Sequence, residues 1–138
     1  MNYKKIDPKT LLRKEHFTHY LENVPCSYAI TADIDIDTLV KEVKSRKIKL
    51  YPALIYILST LINRHEEFRM SFNKDDELIL WDYMNPSFTV MNKDTNTFSS
   101  LWCEYSENFS EFYKNYLDVT ERFSSSVHFT PQTDCPEN

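Results

Sequence analysis

Ser87-Phe-Thr-Val-Met91, Asn92-Lys-Asp-Thr-Asn96 and Thr97-Phe-Ser-Ser-Leu-Trp102 follow one another without interruption. The outer runs are rich in aromatic and β-branched residues, and the middle five are turn formers. The stretch therefore predicts two strands joined by a turn. Upstream, Phe68–Phe72 and Glu77-Leu-Ile-Leu-Trp81 flank a polar break, and Asp75-Asp76 suits a second hairpin. Downstream, Phe109, Phe112, Tyr113, Tyr116, Leu117 and Phe123 recur at helical spacing from about Asn108, which predicts a helix with an aromatic, core-packed stripe.

Working further outward, Pro52 suits the first turn of a helix. Leu54, Ile55, Ile57, Leu58, Leu61 and Ile62 cover most of its circumference, so the expectation is a buried helix. A shorter helix carries Ile36, Leu39, Val40 and Val43 in a stripe, with Asp35 or Asp37 as its cap. Cys26-Ser-Tyr-Ala-Ile-Thr-Ala-Asp-Ile-Asp-Ile36 alternates and reads as a strand. Thr10–Leu21 has a mixed helical pattern, capped by Thr10 and stopped by Pro25. After Ser124 the chain turns polar and proline-bearing. The whole predicts one mixed α/β domain over residues 1–138: an α+β two-layer fold with a largely antiparallel sheet packed by helices.

Composition narrows the function classes. The 138 residues hold 16 Lys+Arg against 21 Asp+Glu, for a net charge of -5 and no dense basic stripe. Nucleic acid is therefore not an expected partner, because phosphate binding needs clustered cations. No apolar run approaches the roughly 20 residues that span a bilayer, and Met1–Asp7 lacks a signal peptide's apolar core, so no membrane association is expected. Cys26, Cys103 and Cys135 are odd in number and widely spaced, which suits reduced thiols in a cytoplasm. There is no glycine. Left-handed turn positions must fall to Asn and Asp, and Asn73–Asp76 and Asn92–Asn96 are the expected places. Phosphate loops, dinucleotide fingerprints and nucleophile elbows are excluded with it.

Chemistry-bearing residues form no recognisable constellation. His16 and His19 could share a helix face, but nothing nearby completes a metal ligand set, and no metal is expected. His65 and His128 have no sequence link to Cys26, Cys103 or a serine nucleophile. No catalytic residue follows from these spacings.

One ordered series of segments is more specific. Arg13-Lys-Glu-His-Phe17 with Tyr20, Tyr51-Pro52, Glu67-Phe-Arg-Met70, Asp76-Glu-Leu-Ile-Leu-Trp-Asp82, Pro86-Ser-Phe-Thr-Val90, Thr97-Phe-Ser-Ser100, Phe109–Arg122 and the terminal Pro136-Glu-Asn138 resemble the N-terminal portion of the chloramphenicol acetyltransferase family. The resemblance implies a CoA-dependent acyltransferase-like fold, here incomplete at the C-terminus. It also implies acetyl-CoA as co-substrate with no bound cofactor, chloramphenicol as acceptor, an antibiotic-resistance role, and a homotrimer with active sites between subunits. The family's general base is the second histidine of a C-terminal His-His-x-x-x-Asp-Gly motif, which these residues do not contain. The expectation is thus a truncated form, inactive alone and without a catalytic residue. Tyr20, Val24, Cys26, Thr89, Phe98, Ser100 and Phe129 fall at the family's substrate-binding positions, Phe129 within a His128-Phe-Thr-Pro variant of its Leu-Phe-Pro. Arg13 takes a structural position, pairing with the aspartate of the motif. The rival expectation is a non-catalytic remnant, or a binding module of the related dihydrolipoyl acyltransferase type.

Overall fold

The computed structural model describes residues 3–136. The ends of the matched series, Met1-Asn2 and Glu137-Asn138, lie outside the described residues. Five strands and four helices are present among the described residues, in two antiparallel sheets.

The central stretch folds as its pattern predicts. Strand β4 (Ser87–Asn92) pairs antiparallel with β5 (Thr97–Trp102), placing Thr89 opposite Ser100 and Met91 opposite Phe98. Asn92 closes the turn: its Oδ1 accepts from the amides of Asp94 (3.0 Å) and Thr95 (3.2 Å), and its Nδ2 donates to the Ser126 carbonyl (3.1 Å). Alternation sets the two faces. Phe88, Ser99 and Leu101 turn inward and are buried, while Thr89, Met91 and Phe98 lie on the opposite, exposed face.

Helix α4 (Phe109–Arg122) packs on the inward face. Asn108 caps it, accepting from the amides of Ser110 and Glu111. Its aromatic stripe enters the core as expected: Phe112 and Tyr116 are buried with Phe88, Leu101 and Cys103. Phe88 and Tyr116 rings lie 4.9 Å apart, and Tyr56 of helix α3 (Leu50–Arg64) sits against Phe109 and Phe112 at 5.1 and 5.4 Å. Each such aromatic pair contributes about 1 kcal/mol beyond area burial.

The second sheet has the order β1-β3-β2, built from β1 (Tyr3–Lys5), β2 (Met70–Phe72) and β3 (Leu78–Trp81). The Asn73–Glu77 turn holds a three-residue loop rather than a two-residue one. Asn73 N–H donates to the Glu77 carbonyl, Asn73 Oδ1 accepts from the amides of Asp75 and Glu77, and Asp76 takes φ 56°. A left-handed residue in the third loop position is the usual way to close such a hairpin. Asn96 (φ 53°) is the second expected left-handed position, and Lys47 (φ 56°) is one the composition did not point to.

Three expectations differ from the structure. First, α3 is not a buried helix. Pro52, Ala53 and Ser59 are buried, but Leu58 is 59% exposed and Leu61 46%; α2 (Asp37–Ser45), α4 and the 66–69 turn cover only part of its circumference. Second, residues 26–36 form no strand, because no other strand of the described residues lies beside them to accept their main-chain hydrogen bonds. Third, the 10–21 helix is shorter and differently capped. Asp7 caps a 3-10 turn at Pro8–Thr10, α1 spans Lys14–Thr18, and a π turn follows at His19–Asn23. Thr10 instead donates its hydroxyl to the Asp7 carbonyl.

Candidate functional site

The exposed face of β4 and β5 carries the densest group of sequence-predicted residues. Strand register fixes their order: Thr89 faces Ser100, and Phe98 lies two residues along β5 on the same side. The chain returns to this hairpin at residues 126–132. Ser100 N–H donates to the Phe129 carbonyl (2.6 Å), and Ser99 Oγ donates to the His128 carbonyl (2.7 Å). These two bonds carry the Phe129 ring onto Phe98, edge to face with centroids 5.6 Å apart. Thr89, Phe98, Ser100 and Phe129 are thus assembled by one hairpin and the segment tied to its edge.

Both rings remain half open, Phe98 at 52% and Phe129 at 60% exposure. The result is a shallow aromatic wall beside three hydroxyls, those of Thr89, Ser100 and Ser87. Ser87 was not signalled as a site residue. Its Oγ lies 3.4 Å from Ser100 Oγ and 3.3 Å from the Leu101 carbonyl, and alternation along β4 was the available sign that it shares Thr89's face. Such a surface suits an aromatic ligand carrying hydroxyl groups. It holds no base: the histidine nearest in sequence, His128, contributes its main-chain carbonyl to Ser99.

Tyr20, Val24 and Cys26 lie elsewhere, on the π turn and the segment after it, which is neither helix nor strand. Tyr20 is 52% exposed and packs edge-on against His19, with centroids 5.1 Å apart. No hydrogen bond or ring contact among the described residues joins these three to the Phe98 group. Arg13 precedes α1, is exposed, and makes no side-chain ion pair among the described residues.

The remaining candidates are chemically quiet. Burial pushes the Cys103 thiol up to about 12, so it stays protonated within the core, whereas Cys26 and Cys135 are exposed. Burial also raises the Tyr116 phenol. Among the described residues, no three His, Cys, Asp or Glu side chains are placed to hold a metal ion, and no helix is long and apolar enough to cross a membrane.

Comparison with known proteins extends over the whole chain. A family model described as chloramphenicol acetyltransferase matches residues 1–138. The chloramphenicol acetyltransferase of Clostridium perfringens is 49% identical over 138 residues, covering 100% of this chain and 63% of the relative. That of Clostridium butyricum is 45% identical with the same coverages. Chloramphenicol acetyltransferase 3 of Escherichia coli is 45% identical, with 64% of its length covered. A solved chloramphenicol acetyltransferase structure superposes with a TM-score of 0.79 at 18% identity, covering 95% of this chain and 59% of that one, which speaks for the fold. The chain spans less than two thirds of the length of these relatives.

Proposed function

The chain belongs to the chloramphenicol acetyltransferase family, and on that footing we propose that its residues furnish the acceptor-binding side of an acetyl transfer from acetyl-CoA to the primary hydroxyl of chloramphenicol. The observation that carries this reading is the convergence of Thr89, Phe98, Ser100 and Phe129 on one open face. The Phe98 and Phe129 rings offer an aromatic wall for the drug's nitrophenyl group, and the neighbouring hydroxyls offer hydrogen bonds to its polar arm. Tyr20, Val24 and Cys26, which no hydrogen bond or ring contact among the described residues joins to that face, belong to the pocket through the family resemblance, with the site lying between subunits of the homotrimer. Arg13 acts structurally, pairing with a carboxylate of the family's histidine motif.

In the transfer itself a general base takes the acceptor hydroxyl's proton as its oxygen attacks the thioester carbonyl. A C–O bond forms, the C–S bond breaks, and coenzyme A leaves as the thiol. We assign no residue of the 138 to the base: the described binding face carries hydroxyls, aromatic rings and the Met91 thioether, none of them a base near neutral pH. A cytoplasmic homotrimer conferring drug resistance is the setting in which this half-site works.

The test has two parts. Chloramphenicol added at about 1 mM, where weak sites with affinities near −4 kcal/mol become occupied, is expected to shift the NMR amide signals of Thr89, Phe98 and Ser100, and Phe98→Ala is expected to abolish those shifts. The 138-residue chain with acetyl-CoA and the drug is expected to release no thiol. Unmoved signals on the β4–β5 face would remove the pocket, and turnover like that of a full-length relative would place a base within these residues.

A further inference from the structure

The segment that returns to β5 and carries Phe129 is not a strand, and apolar burial does little to hold it. No residue from 124 to 136 is buried, and Val127 and Phe129 are 61 and 60% exposed. The Phe129 ring leans edge-on against Phe98, itself half open. Two rings that both face water remove little area from it, so their contact alone is a weak anchor for a loop.

Hydrogen bonds fix the segment instead, and side chains make most of them. Ser99, Ser100 and Trp102 of β5 meet His128, Phe129 and Gln132 in the same chain order. Ser100 to Phe129 is a main-chain bond, whereas Ser99 Oγ binds the His128 carbonyl at 2.7 Å and the Gln132 amide takes both main-chain groups of Trp102. From Ser100 to Trp102 the strand advances two residues, while from Phe129 to Gln132 the segment advances three. Thr130-Pro131 thus holds one residue too many for a regular ladder, and Pro131 has no N–H to give to one. The Gln132 side chain bridges that misfit. Phe129 therefore sits between two side-chain ties, one residue after the first and three residues before the second.

We propose that Ser99 and Gln132 are positioning residues of the acceptor face, which act by holding Phe129 against Phe98 so that the aromatic wall stands before the drug arrives. Ser99 is 4% exposed on the inward side of β5, out of a ligand's reach, and Gln132 has its amide on the Trp102 main chain at the sheet edge. Their effect therefore passes through Phe129. A wall that had to be ordered during binding would cost affinity, because immobilising a side chain and its loop opposes association, by roughly three- to tenfold for one such group. The inference rests on the proposed function and deepens it, since it names what sets the strength of that site for an aromatic acceptor.

The experiment titrates chloramphenicol into the 138-residue chain and into its Gln132→Leu, Ser99→Ala and Asn108→Ala variants. Amide shifts on the β4–β5 face give the affinity, the nuclear Overhauser contact between the Phe98 and Phe129 rings of the free chain gives the placement, and urea melts give the stability. Gln132→Leu is expected to lose the ring contact and to bind the drug roughly three- to tenfold more weakly. Ser99→Ala removes a single hydroxyl, should move both readouts the same way, and decides the matter where Gln132→Leu does not fold. Asn108→Ala takes away the α4 cap and is expected to lower the urea midpoint while leaving ring contact and affinity unchanged. Survival of the ring contact in Gln132→Leu and Ser99→Ala would overturn the proposal, and so would its loss at unchanged affinity. An equal loss of affinity in Asn108→Ala would do the same, by reducing the effect to stability. Absence of drug-induced shifts in the unaltered chain, with the ring contact still lost in Gln132→Leu, would count against the proposed function and leave the holding of Phe129 standing.

Discussion

Gln132 pairs with the main chain of Trp102 as a neighbouring strand would. Its Oε1 accepts the Trp102 N–H at 2.8 Å and its Nε2 donates to the Trp102 carbonyl at 3.1 Å. One side-chain amide thereby closes the exposed edge of β5 next to the point where Ser100 binds Phe129. Gln132→Leu removes both bonds, and at about 1 kcal/mol net for each partly buried hydrogen bond the chain should lose on the order of 1–2 kcal/mol, seen as a lower urea midpoint with an unchanged slope. The Phe98–Phe129 ring contact should loosen with it. Gln132→Glu should be less harmful at low pH, where the protonated carboxyl can both donate and accept, than at neutral pH. An equal loss across that range would show that the amide only fills space.

What the sequence made legible follows from how each element is stabilised. Helix α4 and the β4–β5 hairpin carry their own signals, since the stripe from Phe109 to Phe123 and the alternation through Ser87–Trp102 each match an element that buries one face. Thr89, Phe98 and Ser100 are named as site residues through the family resemblance, and the register of that hairpin sets them on one face. Residues 26–36 have a strand's sequence without a strand's partner in the described residues, and local pattern does not encode a partner. Strand β1 is three residues long and owes its place to pairing Tyr3 with Trp81 and Lys5 with Ile79, too short a run for periodicity to register. Gln132 had no motif to announce it, because a side-chain amide standing in for a strand is read only from geometry, and for Ser87 alternation along β4 marks the face but no role.

The tie that holds β1 should respond to pH at both extremes. Lys5 Nζ lies 2.7 Å from Glu77 Oε1. The hydrogen bond from Lys5, followed by that from Asn73, lowers the Glu77 carboxyl below its ordinary 4.5, and the bond to Glu77 raises Lys5 above its ordinary 10.5. A lowered acid contributes above its unfolded value and loses that contribution as pH falls through its folded value. A raised base contributes below its unfolded value and loses that as pH rises through its folded value. Pairing of β1 should therefore be flat through neutrality and weaken below the normal carboxylate range and above the normal lysine range. The ring-current shift that Trp81 imposes on Tyr3, whose centroids are 5.3 Å apart, reports it. Glu77→Gln should erase the acid limb; persistence of that limb would assign it to another carboxylate.

Thiol reactivity should divide the three cysteines two to one. Cys103 is 1% exposed and its thiol is pushed up to about 12 by burial. At pH 8 its thiolate fraction is on the order of 10⁻⁴, and the thiolate is the reacting species. Cys26 and Cys135 are exposed. Iodoacetamide at pH 8 should add two groups to the native chain by mass spectrometry, with the third appearing only in denaturant. Prompt modification of Cys103 under native conditions would mean that the core beneath α4 opens far more readily than its packing suggests.

Lys47 occupies a position made for glycine in a chain that has none. Helix α2 ends with Ile48 N–H donating to the Val43 carbonyl at 2.8 Å and Lys47 N–H donating to the Lys44 carbonyl at 3.2 Å. These are the paired bonds of a Schellman terminus, with Lys47 as the left-handed residue at φ 56°. A side chain with a Cβ in that conformation costs roughly 1–2 kcal/mol, which glycine avoids. Glycine gives back part of the gain, about 0.5–1 kcal/mol, through the greater freedom of the unfolded chain, and the lysine's small favourable interaction with the helix C-terminus is also lost, about 0.3 kcal/mol at an exposed site. The balance favours the substitution. Lys47→Gly should raise stability by up to about 1 kcal/mol, and Lys47→Asn should fall between the two because asparagine tolerates this region better than lysine. Lys47→Val should destabilise by more than either gains, since a β-branched residue fits the left-handed region worst. Urea melts of the four chains measure the order directly, and a valine variant as stable as the glycine one would show that α2 ends in solution without the left-handed turn.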